Sequence, residues 1–143
     1  MNGNDRRMVW IKLAYWLGIG ADALWVVGLL FPAAFRLLVG ISEFDPDIQV
    51  RLIMGMGGSL MAGWTLLLLW AIRQPIERRV VILLTAFPVV FGMFIVALFG
   101  FLDGNIWVLW LLIKSVILMV SMTSSYVLAC KLAKETRQGK LLR

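Results

Sequence analysis

The chain has 143 residues, 62% of them hydrophobic and 15% charged, with a formal net charge of +6. Soluble domains run to roughly 45–50% apolar and about 25% charged, so this chain holds too little polar material to wet a globule of its size. Its mean hydropathy of +0.91 agrees. With no histidine and a single cysteine, Cys130, the sequence excludes His-ligated haem, His or multi-Cys metal sites and an intrachain disulfide.

A hydrocarbon core of ~30 Å needs about 20 apolar residues in a helix. Four runs reach that length, and their continuous rather than alternating apolar character selects helices over barrel strands. The expected fold is all-α: one transmembrane domain, 1–143, forming a four-helix bundle of antiparallel up-down topology with spans near 13–35, 50–73, 79–102 and 106–130.

The first run begins after Arg6, Arg7 and Lys12. A signal peptide would start similarly, but this run continues from Leu24 to Phe31, longer than a cleavable core, so a retained span is expected. Pro32 is expected to bend it, with the apolar sequence running on to Val39. Asp45-Pro46-Asp47 reads as a helix start, with Asp45 as cap, Pro46 in the first helical position and Asp47 in the first turn. Gln74-Pro75 followed by Glu77 reads the same way for the third span. Pro88 withholds a donor from the carbonyl of Leu84 and should bend that span, with Thr85 able to compensate in part. Asp103-Gly104-Asn105 is a tight turn, with Asn105 available to cap the fourth span.

Orientation follows from the basic residues. Arg6, Arg7 and Lys12, then Arg73, Arg78 and Arg79, then Lys131, Lys134, Arg137, Lys140 and Arg143 all fall on one side of four spans, so both termini are expected in the cytoplasm. The first loop has only Arg36 and Arg51, diluted by Glu43, Asp45 and Asp47, which are expected to cap and pair locally. Trp10 and Trp70 suit the inner interface, Trp107 and Trp110 the outer. This distribution accounts for the excess of 14 basic over 8 acidic residues without nucleic acid. Membrane lipids are the expected partners, with anionic headgroups at the basic face, in the plasma (inner) membrane of the cell.

Two charges lie inside the apolar runs. Asp22 falls about 15 Å beyond Lys12, near the midplane, where an ionisable group costs on the order of 3 kcal/mol and should face protein or water. Ala14, Gly18, Asp22 and Trp25 share its stripe. Asp22 is either a proton or cation site or gate, or a buried acid that hydrogen-bonds a neighbouring helix and fixes packing. Lys114 falls roughly 13 Å from Asn105 on the fourth span, and an Asp22–Lys114 ion pair or shared cavity is expected if the bundle closes. Alternatively the ~6 Å stem of Lys114 lifts its ammonium toward the outer interface. Leu118, Ser121 and Ser125 continue the Lys114 face, as packing glue or as the wall of a water path. On the second span Gly55, Ser59 and Gly63 recur every fourth residue, a small-residue ridge that lets helices approach closely. No strand precedes it and no Lys-Ser/Thr follows, so it is not a phosphate loop.

No Ser-His-Asp, Cys-His or paired-carboxylate arrangement exists; Asp22 with Lys114 and the serine stripe is the one constellation available, and it is too thin to lead to the expectation of an enzyme. Two functions remain open. One is a small transporter or channel, oligomeric because four short spans leave little internal room, using Asp22, Lys114, Ser121 and Ser125. In size and in its first-span acid the chain is similar to the small multidrug exporters, and no motif extends that likeness to membership. The other is a structural or accessory subunit that docks a partner membrane protein through the Gly55, Ser59, Gly63 ridge.

Overall fold

The computed structural model describes residues 3–41 and 43–141, and every regular element among them is helical. The chain runs through α1 (Gly3–Leu30), α2 (Pro32–Val39), α3 (Ile48–Ala71), α4 (Val80–Leu84), a π-helical turn (Thr85–Val90), α5 (Phe91–Leu102), a short 3₁₀ turn (Ile106–Val108) and α6 (Leu109–Leu141). Four helical stretches are long and apolar enough to cross a membrane: Asp5–Leu30, Ile48–Ala71, Val80–Leu102 and Leu109–Glu135. Ser42, Arg143 and the side chains of Trp107, Arg137 and Lys140 lie outside the described residues.

The outer surface is what a lipid solvent requires. Leu60 is 76% exposed, Val96 70% and Ile117 61%, one from each of three spans. In water such contiguous apolar surface would drive association; against acyl chains it is neutral, and the helices are held by packing and hydrogen bonds instead.

The interior is built where α1 touches its neighbours. Ile11, Ala14, Tyr15, Gly18, Ile19 and Asp22 form one buried stripe at helical spacing along α1, which packs against α3 and α6. The core joins Ile11, Tyr15 and Ile19 to Leu68 and Ala71 of α3, to Val81, Ile82 and Ala86 of the third span, and to Met122, Ala129 and Leu132 of α6. These residues occupy the end of the bundle where the two ends of the chain meet, with Arg7 pairing to Glu135 at 3.1 Å. The third span packs along α6 and touches the second chiefly near its start.

Several local expectations are corrected. The first helix does not bend through Pro32 but ends at Leu30: Phe31 takes an extended conformation (φ −122°, ψ 105°), as the ring of a following proline demands. Pro32 then opens α2, which turns back along α1. The Trp25 and Phe35 rings are 6.3 Å apart, and a Cβ at Gly28 would collide with Leu38. Gly40 stops α2 with φ +78°, a left-handed end suited to glycine. The second-span cap is Asp47, not Asp45: Asp47 Oδ1 accepts from the Val50 amide at 2.8 Å, while Asp45 pairs with Arg51 at 3.2 Å. Asn105 makes no side-chain cap, and the fourth span starts as a 3₁₀ turn. At Pro88 the helix accommodates the missing donor by widening into the π turn.

Candidate functional site

Asp22 is 5% exposed, and its Oδ2 is buried without a hydrogen-bond partner. It sits on the stripe that α1 turns inward, so its position follows from the same spacing that buries Tyr15 and Gly18. Buried carboxylate oxygens ordinarily find a donor or a cation, and an exception calls for a reason. Ala14 and Gly18 are buried beside it on the stripe, and Trp25 is half-buried.

The expected Asp22–Lys114 ion pair does not form. Among the described residues the side-chain ion pairs are Arg7–Glu135 and Arg51–Asp45. Register and direction both separate the two groups. A Cβ on Gly18 would strike the end of the Met122 side chain. Asp22 lies four residues beyond Gly18, whereas Lys114 lies eight residues beyond Met122 in the same direction, so Lys114 is set farther along the bundle. Lys114 is also exposed, with its Nζ 5.2 Å from the centroid of the Trp110 ring. Trp110 is one turn nearer the helix start, so the ammonium has been drawn toward the interface along its flexible stem.

The α6 face carrying Lys114, Leu118, Ser121 and Ser125 is split by depth. Lys114 and Leu118 line a pocket with Ala21, Leu24 and Trp25 of α1. Ser121 and Ser125 line a groove with Trp10 and Leu17 nearer the chain ends. Ser125 is buried and Ser121 half-buried. Hydroxyl chemistry in the spans is largely self-contained: Ser115 donates to Leu111 O and Thr65 to Met61 O at 2.8 Å, Ser59 to Gly55 O and Ser124 to Ser121 O at 2.9 Å. Each bonds back to its own helix, which satisfies the hydroxyl in lipid without a partner.

The ridge Gly55, Ser59, Gly63 faces away from the bundle. Nothing lies within 4 Å of a Cβ built on Gly55 or Gly63, and Ser59 is exposed. The glycines of α3 that meet α1 are Gly58, whose added Cβ would press on Leu30 at 3.0 Å, and Gly57, whose Cβ would touch Leu29 at 3.5 Å. Among the described residues no three His, Cys, Asp or Glu side chains gather as metal ligands.

No protein-family model, curated protein or solved structure matches the chain.

Sequence reasoning passed over three buried polar groups of the bundle. Trp64 Nε1 donates to Thr85 Oγ1 at 3.0 Å, and Thr85 donates to Val81 O at 2.8 Å. Tyr15, fully buried, donates to Arg78 O at 3.1 Å. Ser115 is fully buried on α6. The four-three-four spacing of Ile11, Tyr15, Gly18 and Asp22 carried the signal for Tyr15; Trp64 and Thr85 lie 21 residues apart, and no local pattern links them. The Trp64 and Tyr15 bonds tie the first three spans together, and none of these groups reaches the Asp22 carboxylate. A carboxylate such as that of Asp22 can take up and release a proton or a small cation.

Proposed function

We propose that this chain is a small membrane transporter or channel in which Asp22 is the proton- or cation-handling group. The observation that carries this reading is the unpartnered, buried Oδ2 of Asp22. An acid kept to fix packing does so by a hydrogen bond or an ion pair, and a carboxylate left without either at membrane depth is expensive to hold in place. In this reading the termini and the basic second loop face the cytoplasm and anionic headgroups, in an up-down bundle of the plasma membrane. A single bundle of this size leaves little room for a path, so copies assemble, with the open Gly55, Ser59, Gly63 ridge as the contact.

That same ridge favours a second reading, in which the chain is an accessory subunit docked on a larger membrane protein. Reconstitution separates the two. As a transporter, wild-type protein in liposomes dissipates an imposed proton or sodium gradient faster than empty liposomes, and Asp22→Asn falls to the empty-liposome rate while eluting in the same assembly. As an accessory subunit, the wild type carries no flux, and bulky substitutions at Gly63 release a co-purifying membrane protein.

A further inference from the structure

The pocket of about 200 Å³ between α1, α2 and α6 is lined by apolar side chains, among them Leu24, Trp25, Leu38 and Leu118, together with Trp110 and one charged group, Lys114. No acid is among its lining residues, and no carboxylate of the described residues pairs with the ammonium. The contact recorded for Lys114 Nζ is the Trp110 ring, so the donors that a lysine presents retain capacity for an anion. The pocket exists because α2 turns back beside α1 instead of continuing the span, which leaves Leu38 facing Trp25 across a gap. Its walls are apolar, its single polar handle is cationic, and its two indoles suit the interfacial zone.

From these features we infer that the pocket binds an anionic amphiphile, with the acidic headgroup on Lys114 Nζ and the start of an acyl chain against Leu24, Trp25 and Leu118. Charge complementarity excludes a cationic ligand, and the lack of further polar groups excludes a sugar or nucleotide. Asp22 does not line the pocket, so the inference stands apart from the role proposed for that residue. The chemistry fits two sources: a free fatty acid, or an anionic phospholipid entering from the bilayer.

Of the seven tryptophans, Trp25 and Trp110 line the pocket, and the quenching that disappears when both are replaced by Phe reports its occupancy. Purified full-length protein in nonionic detergent is titrated at alkaline pH with a long-chain fatty acid brominated near its carboxylate, with the methyl ester of that acid, and with a brominated phosphatidylglycerol. Saturable quenching by the acid identifies a free fatty acid as ligand, and saturable quenching by the phospholipid identifies a bilayer lipid; either supports the inference. Lys114→Met weakens the apparent affinity about tenfold or more, as loss of a charge-assisted hydrogen bond requires, whereas Lys114→Arg retains binding. If Lys114→Met yields no folded protein, the comparison of acid with ester on the wild type decides alone. Equal quenching by acid and ester, equal affinity of wild type and Lys114→Met, or no saturable quenching at all overturns the inference.

Discussion

Trp64 and Thr85 join the second and third spans through a hydrogen bond of 3.0 Å from indole Nε1 to hydroxyl Oγ1. Thr85 is 1% exposed and passes its own proton to Val81 O at 2.8 Å, at the point where the helix widens ahead of Pro88. These two spans touch chiefly near this level, so the bond does more for register here than it would in a fully packed pair. Thr85→Val, which keeps shape and removes both bonds, should destabilise the protein by about 1 kcal/mol, within the range found for hydrogen bonds inside membranes. Trp64→Phe should cost a similar amount, and the double variant less than the sum of the two. Unfolding in mixed micelles measures all three.

At the end that carries the chain termini, Tyr15 reaches the backbone of Arg78, and the Arg78 guanidinium lies 3.5 Å from the centroid of the Trp70 ring while donating to Trp70 O. The connection from 72 to 79 is thereby closed onto the first span. Arg78→Lys keeps the charge but loses the planar stack, and should speed hydrogen exchange of the amides in this connection. Tyr15→Phe should cost about 0.5–1.5 kcal/mol and leave exchange elsewhere unchanged. Equal exchange in Arg78→Lys and wild type would show that the stack does not hold the loop.

The glycines divide by what surrounds them. Gly18→Leu drives a branched side chain into Met122 and Leu68 and should abolish folded yield. Gly63→Leu meets open space and should leave the monomer intact. Its effect, if the ridge joins copies, is confined to assembly: cross-linking in native membranes should give fewer higher species for Gly63→Leu than for wild type. An unchanged cross-linking pattern would remove the ridge from the interface.

The four membrane-length helices were legible because lipid imposes a crude rule, long apolar runs bounded by charge and turn residues, and that rule survives ignorance of packing. The inward stripe of α1 was half legible: the small residues around Asp22 marked a face, and Tyr15 belonged to it by spacing. The Asp22–Lys114 pair failed for a reason that no count along one helix exposes. Depth measured from each helix's own end left the relative slide of α1 and α6 undetermined, and the Gly18–Met122 contact sets that slide. Pro32 misled differently. Apolar character continued through it, so the backbone restriction on Phe31 decided between a bent span and a helix folded back on itself, and the pocket beside Lys114 exists only in the second case. The glycine ridge was legible as a ridge, while the partition between Gly58, which packs inside, and Gly55 and Gly63, which do not, depends on where α1 lies.

In the proposed function Asp22 is held in the bundle for use rather than for packing. The most direct test is the thermal unfolding midpoint of Asp22→Asn beside wild type, in one nonionic detergent and with equal folded yield checked by gel filtration. A carboxylate whose buried oxygen has no donor stabilises nothing that a neutral amide of the same shape would lose. The midpoint of the variant should therefore equal or exceed that of the wild type. A lower midpoint for the variant would contradict that reading and make Asp22 a residue of the scaffold.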